Sequence, residues 1–257
     1  MTLAVILNSG TGSRMGELTD NKPKCMVEIA ANETVISRQV KALQASGITE
    51  ILITTGPFAE KLKNYLADSF KELNFTYINN PRYRDTNYIY SLLLAGETIL
   101  EKLSRSGSGQ GEDKKMVMLH GDLVFDRAVV DQLLNANQKD AVLTNPYVSL
   151  PEKDFKAEIK NGRVKRIGVD LFSNASVFLI PFYRLSRETF GAWLKEMKRF
   201  EEENRLKVYA EDALNNLLEE LPLYPVELKD EFCTEIDDKN DFAVVKKYLE
   251  EGRQENR

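Results

Sequence analysis

The residues richest in chemistry are Leu7-Asn8-Ser9-Gly10-Thr11-Gly12-Ser13-Arg14-Met15-Gly16, with Pro23-Lys24 close behind. The stretch follows the apolar run LAVIL directly, so a buried strand breaks into a glycine-rich turn. Backbone N–H groups of such a turn converge on anionic oxygens, and glycine permits the close approach. Arg14 and Lys24 can neutralise charge that amides cannot, which points to a triphosphate. The spacing is not that of a G-x-x-x-x-G-K-[ST] loop, because no Lys-Ser or Lys-Thr follows Gly16. It is not G-x-G-x-x-G either, because Gly16 falls one residue late. Taken alone, the stretch also fits an ordinary turn between a strand and a helix.

Two acidic positions suit a cation beside such a phosphate. His120-Gly121-Asp122 ends the apolar run MVMLH, and the carboxyl end of a strand in an open α/β sheet is where ligands bind. Magnesium takes one or two protein carboxylates and fills its other positions with phosphate and water. Glu235-Ile236-Asp237 follows another short apolar stretch; side chains alternate along a strand, so Glu235 and Asp237 are expected on one face. Asp237 can then meet Asp122. The pair Asp237-Asp238 equally suits the start of the last helix, with Asp238 or Asn240 as its cap.

Asn80-Pro-Arg-Tyr-Arg-Asp-Thr-Asn87-Tyr-Ile-Tyr-Ser91 joins a strand to a helix and is rich in amides, hydroxyls and rings. Such groups can read the hydrogen-bonding edge of a base, while Thr86 or Asn87 would also serve as a helix cap. The run Tyr209-Ala210-Glu211-Asp212 is aromatic and acidic, which suits an ammonium group. It suits the first turn of a helix as well. Tyr147, Phe172 and Phe178 are further aromatic candidates for the same group.

The elements that must hold these residues alternate. Strands are expected at 3–8, 50–55, 74–79, 116–121 and 140–144, with helices near 33–46, 58–70, 88–103 and 126–137. That alternation predicts an α/β three-layer sandwich, Rossmann-like, with a mostly parallel central sheet. Asn161-Gly162, between Phe155–Ile159 and Val164–Val169, predicts a hairpin. A strand near 176–180, helices around 182–203 and 209–219, a strand near 222–228 and a helix near 240–251 complete the expectation. The polar, glycine-rich segment 104–115 reads as a surface loop. The whole of 1–257 reads as one domain, with a nucleotide-binding half (1–125) and an acceptor-binding half (126–257).

Composition narrows the class. A net charge of -5 argues against a nucleic-acid surface, and no apolar run approaches a membrane span. The first residues lack the basic flank and cleavage pattern of a signal peptide. Two distant cysteines, Cys25 and Cys233, suggest a reducing, cytoplasmic setting, and one His with two Cys makes no zinc cluster.

Taken in order, these pieces resemble the nucleotidyltransferases that join a nucleoside triphosphate to a phosphorylated metabolite. Their opening pattern L-A-A-G-x-G-[ST]-R-[ML] stands here as LNSGTGSRM, with Asn8-Ser9 in place of Ala-Ala, followed by Pro23-Lys24. PKCMVEI, ITTG, NPRYRDTNYIYSLLLA and the late EID look most like the branch of phosphocholine and aminoethylphosphonate cytidylyltransferases. The resemblance is densest over the first 125 residues and thin from 140 to 225.

The resemblance implies a nucleotide-diphospho-sugar transferase fold and a reaction between CTP and a small phosphate or phosphonate, with Mg2+. Gly10, Thr11, Gly12, Ser13 and Arg14 would hold the phosphates, and Lys24 the α-phosphate or the incoming phosphate. Leu7, Asn8 and Gly121 would wall the nucleotide, while Gly56, Asn87 and Ser91 border the cytosine. Asp122 and Asp237 would hold Mg2+, and His120 would pack or support rather than act as a base. Tyr209, Glu211, Asp212 and Asn174 are the acceptor candidates, and a homo-oligomer is compatible with the pattern. Two alternatives stand beside this one. A sugar-1-phosphate or inositol-phosphate transferase would use hydroxyl-binding groups such as Asn174 and Ser176. A catalytically silent subunit would bind nucleotide without turnover.

Overall fold

A computed structural model describes residues 2–104 and 114–255. The expected loop at 104–115 lies, apart from its ends, outside the described residues. The chain runs β1 (Leu3–Asn8), β2 (Glu28–Ala30), β3 (Glu33–Thr34), α1 (Val35–Ala45), β4 (Glu50–Thr55), α2 (Ala59–Ser69) and β5 (Asn74–Asn79). It continues through α3 (Tyr88–Ser104), β6 (Lys115–His120), β7 (Leu123–Phe125), α4 (Arg127–Leu134) and β8 (Ala141–Asn145). Then follow β9 (Lys156–Lys160), β10 (Arg163–Gly168), β11 (Ser176–Ser186), α5 (Arg187–Glu202), α6 (Ala210–Leu214), β12 (Tyr224–Glu227), β13 (Cys233–Glu235) and α7 (Lys239–Glu255).

The expected α/β sandwich with a mostly parallel centre is what forms. One nine-stranded sheet has the order β10-β9-β11-β6-β1-β4-β5, with β8 and β12 branching from β11. The ladders from β6 through β1 and β4 to β5 are parallel, and the sheet turns antiparallel at β11. Period-two alternation along β1 divides the core: Leu3, Val5 and Leu7 pack with α3 and α5, whereas Ala4 and Ile6 pack with α1, α2 and α4. Because every β1 position is buried, the strand reads as a continuous apolar run.

β1 pairs with β4 on one side and β6 on the other. The strand order reverses there, which opens a crevice at the carboxyl ends of β1 and β6. Leu7 and His120 are register partners at its floor.

The C-terminal half departs from expectation in three places. β11 runs on to Ser186, so α5 starts at Arg187 and not near 182. Pro181 sits within a register shift between Ile180 and Tyr183, where the strand does without its N–H. Ser186 then caps α5, accepting from the Thr189 N–H at 3.2 Å. The helix expected at 209–219 is a single short turn, α6, followed by tight turns. The last strand β13 ends at Glu235, so Asp237 lies past it and not on one strand face with Glu235. The Asn161-Gly162 hairpin forms as expected, with φ of 54° and 70° at the two turn residues.

Candidate functional site

Between β1 and α1 the chain makes two short 3-10 turns, Ser13–Thr19 and Lys24–Met26. Gly12 takes φ 67°, and a Cβ there would lie 2.9 Å from Lys24 Cβ. Only glycine lets the loop turn left-handed and press against the lysine stem. Gly56 serves the loop from behind, because a Cβ on it would sit 2.2 Å from the Ser9 carbonyl oxygen. Gly56 therefore supports the loop's backbone and does not line the cleft itself.

The cleft beneath the loop is lined by Leu7, Asn8, Gly10 through Arg14, Lys24, Gly121, Asp122 and Asp237. Lys24 Nζ donates to Asp122 Oδ2 and Asp237 Oδ1, both at 2.8 Å. Arg14 approaches the other Asp237 oxygen at 3.0 Å. Burial opposes the Lys24 ammonium, yet the charges of Asp122 and Asp237 outweigh it and hold its pKa above the ordinary value. Burial likewise opposes the Asp122 carboxylate, and Lys24, then His120, bring its pKa below the usual carboxylate range.

Three features place the two carboxylates. Gln39, wholly buried on α1, donates to the His120 and Leu123 carbonyls at 3.0 and 2.8 Å and so clamps the turn that carries Asp122. β13 pairs antiparallel with β7, Glu235 opposite Leu123, and the Ile236 N–H donates to the Asp122 carbonyl at 3.0 Å. The Asp237 and Asp238 N–H groups both donate to Asp241, while Asp238 accepts from the Asn240 N–H at 2.7 Å. Asp238 thus caps α7 and leaves the Asp237 side chain to the cleft. The sequence reading missed Gln39, whose only signal is a polar residue on an apolar helix face.

The residues present fit a divalent cation. Asp122 and Asp237 converge on one point, held by the Lys24 ammonium, and Asp122 Oδ1 is buried without a partner among the described residues. His120, Asp122 and Glu235 also bring ligand atoms within 4.8 Å of one another.

A second cleft opens on the other side of Leu7 and Gly10, toward Asn80, Asn87, Tyr88, Ser91 and His120. Asn80 donates to Ser91 Oγ at 3.0 Å, and the Asn87 N–H donates to the Leu206 carbonyl at 2.7 Å. Asn87 and Ser91 thus both line this cleft beside the glycine loop.

A third cleft continues past Asp122 and Asp237 between the two halves, lined by Tyr88, Asp154, Phe155, Tyr209 and Glu235 among others. Phe155 and Tyr209 meet edge-on at 4.9 Å, and Tyr88 lies 6.3 Å from Tyr209. Burial, then Asp237 and Asp241, push the Asp154 carboxyl above its ordinary value. Burial also raises Glu235, whose carboxylate stands 3.6 Å from His120 Nδ1. His120 is thus part of the cleft wall, with its ring edge-on to Tyr88 at 4.9 Å.

Of the acceptor candidates, only Tyr209 lines this cleft. Glu211 is 1% exposed and turned into the core, where it accepts from Tyr183 Oη at 2.8 Å and from Tyr88 Oη. Asp212 accepts from the Tyr209 N–H at 3.0 Å, the helix-start role that its position also allowed. Asn174 sits in an exposed turn between β10 and β11, away from the cleft, and Tyr147 and Phe172 are largely exposed elsewhere. Glu235, Asp154 and Phe155 also line this cleft and were not among the acceptor candidates. Asp154 and Phe155 follow β8 in an irregular segment, 146–155; Phe155, expected at the head of the hairpin strand, lies just before β9.

A strand-order crevice floored by a glycine loop, two cations and two facing carboxylates defines the nucleotidyltransferase class. The pattern of the MobA-like NTP transferase domain matches residues 4–150, and the chain belongs to that family. Over 142 residues it is 31% identical to the CTP:phosphoglutamine cytidylyltransferase of Campylobacter jejuni, covering 55% of this chain and 52% of that protein. Over 139 residues it is 27% identical to the CMP-5'-(3-aminopropyl)phosphonate synthase of Streptomyces rubellomurinus, covering 54% of this chain and 20% of that protein. The match thus spans about half of one curated relative and a fifth of the other. A choline-phosphate cytidylyltransferase of Haemophilus influenzae is 24% identical over 245 residues, 94% of this chain and 95% of that one. Among solved structures, the CTP:phosphocholine cytidylyltransferase of Streptococcus pneumoniae superposes with a TM-score of 0.73 at 20% identity, covering 96% of this chain and 99% of that one. At that identity the likeness establishes the fold. Among the described residues no helix is long and apolar enough to cross a membrane.

Proposed function

We propose that this chain is a cytidylyltransferase joining CTP to a small phosphate or phosphonate that carries an amine, with release of pyrophosphate. The observation that carries the reading is the convergence of Lys24, Asp122 and Asp237 beneath the Gly10–Arg14 loop. Chain similarity to cytidylyltransferases acting on phosphoglutamine, aminopropylphosphonate and choline phosphate supports the choice of base and acceptor class.

An acceptor oxygen attacks the α-phosphorus in line; the new O–P bond forms as the bond to pyrophosphate breaks. The attacking group is already anionic, so no base is required. Two anions must be held together, which makes positioning and charge neutralisation the main tasks. The loop amides and Arg14 hold the phosphates, and Lys24 turns from the carboxylates toward the α-phosphate. Mg2+ bound by Asp122 and Asp237 would offset the charge that develops in transfer. Tyr88, Phe155 and Tyr209, with Asp154 and Glu235, give the third cleft the aromatic and acidic character that attracts an ammonium group. Asn174 and Ser176, the groups wanted by a sugar phosphate, do not line it.

The test is pyrophosphate release from CTP and Mg2+ with phosphocholine, 2-aminoethylphosphonate and glucose-1-phosphate in parallel. Release with either amine compound and not with the sugar phosphate is expected. Release with the sugar phosphate alone would replace this reading, and CTP binding without any release would favour the silent subunit.

A further inference from the structure

Glu211 is a carboxyl group buried in the core with no direct access to either substrate. Two phenols from other elements hold it: Tyr183 Oη donates to one oxygen at 2.8 Å, and Tyr88 Oη donates to the other. Tyr183 is fixed on β11, fully buried, with its ring 6.2 Å from Trp193. Trp193 in turn donates to the carbonyl of Ala210, the residue before Glu211, at 2.8 Å. One end of this chain of contacts is therefore rigid.

The other end is Tyr88, the first residue of α3, and Tyr88 lines both the base-side cleft and the acceptor-side cleft. Its ring contacts His120 edge-on at 4.9 Å, so a rotation of the ring would change the wall on both sides at once. A second tie acts at the same corner, where the Asn87 N–H donates to the Leu206 carbonyl at 2.7 Å. Leu206, ahead of α6, and Glu211, within it, thus grip the start of α3 through one backbone bond and one buried carboxyl.

We infer that Glu211 is a positioning residue that fixes Tyr88 as the partition between the nucleotide and acceptor clefts. This rests on the nucleotidyl-transfer reading for the names of the two clefts. A buried carboxyl between two phenols with no cation partner is a costly arrangement for packing alone, because an apolar side chain would fill the space without desolvating a polar group. The arrangement gains a role when the hydroxyl it holds belongs to a substrate-facing ring. Long side chains hold such a ring to a fraction of an ångström only when their own rotamers are locked, which the Tyr183 and Trp193 contacts do.

The test is titration calorimetry of CTP with Mg2+, and of 2-aminoethylphosphonate in the presence of that nucleotide, on wild type, Glu211→Gln, Glu211→Leu and Tyr88→Phe. Thermal unfolding confirms that each variant is folded. If Glu211→Leu does not fold, Tyr88→Phe decides, because it removes one hydroxyl and keeps the ring. The expected result is that Glu211→Leu and Tyr88→Phe each weaken both ligands by about tenfold, the scale of one buried hydrogen bond whose remaining partner is left unsatisfied. Glu211→Gln, which can accept from one phenol and donate to the other, should stay within about threefold of wild type. Wild-type affinities in folded Tyr88→Phe or Glu211→Leu would overturn the inference, as would a Glu211→Gln loss as large as that of Glu211→Leu. Because binding is the readout, CTP that binds without turnover would remove the proposed reaction and still allow the Tyr88 inference to be judged.

Discussion

Lys24 Nζ lies 2.8 Å from Asp122 Oδ2, although 98 residues separate them, and 2.8 Å from Asp237 Oδ1, 213 residues away. One ammonium thus joins the two carboxylates that would otherwise repel each other in a largely buried setting. Removing it takes a counter-charge from both carboxylates and, on the proposed reading, a cation from the transferring phosphate.

Lys24→Ala and Asp122→Ala should therefore each lower turnover by about a hundredfold or more, corresponding to the roughly 2.7–4 kcal/mol typical of one lost charge-stabilising donor. Steady-state pyrophosphate release measures this, with circular dichroism to confirm folding. Near-normal turnover in either variant would remove the assigned role.

Gly56→Ala places a methyl group into the Ser9 carbonyl, at 2.2 Å before relaxation. The loop must shift, since the atom opposed is backbone. Overpacking of this kind costs about 1–3 kcal/mol. The expected signature is a CTP dissociation constant raised by about tenfold or more, because the strain lands on the phosphate loop. Unchanged CTP affinity would show that the loop absorbs the methyl group.

Gln39→Leu removes both side-chain bonds to the His120 and Leu123 carbonyls and leaves those buried acceptors unpaired. A loss of about 2 kcal/mol or more is expected in urea unfolding, from the desolvation of stranded carbonyls. Weaker metal-dependent turnover should accompany it, because the same turn carries Asp122.

Glu211 gives a pH signature. Burial, with added repulsion from Asp212 on its own helix and Glu235 from β13, pushes its pKa from an ordinary 4.5 up to about 8. The phenols of Tyr88 and Tyr183 are the groups that face it. A carboxyl raised on folding binds its proton more tightly in the native chain. Its contribution is complete below the unfolded value and is lost progressively as pH rises toward about 8. Urea midpoints measured at about pH 5, 7 and 9 should decline more steeply for wild type than for Glu211→Gln. Parallel slopes for the two proteins would mean that the group does not titrate as described.

Much of the nucleotide side was legible in the sequence because local rules govern it. Apolar runs of five or six residues set β1, β4 and β6, and the break after Leu7 set the loop. A strand-end carboxylate is a positional signal, so Asp122 could be found without a structure. Asp237 was found for a partly mistaken reason: it reaches the cleft by lying beyond β13, with Asp238 taking the cap. The acceptor side was far less legible. Glu211 and Tyr209 stand two residues apart, yet one enters the core and the other the cleft, because a short turn follows no period that separates them. The extended β11 was misread for a related reason. LIPFYRL fits a strand or a buried helix equally, and the sheet tolerates Pro181 at the register shift between Ile180 and Tyr183.

The pairing of β7 with β13 also bears on when the site comes into being. The glycine loop is translated before the carboxylate of Asp237, which comes more than two hundred residues after Lys24. A nascent chain emerging from the ribosome therefore carries an unfinished cleft while the residues between them are added. Contacts of such long sequence separation carry a loop-closure cost that slows their formation. Until β13 docks, the loop and Asp122 lack the second carboxylate of the cleft, and its three-way contact through Lys24 stays incomplete.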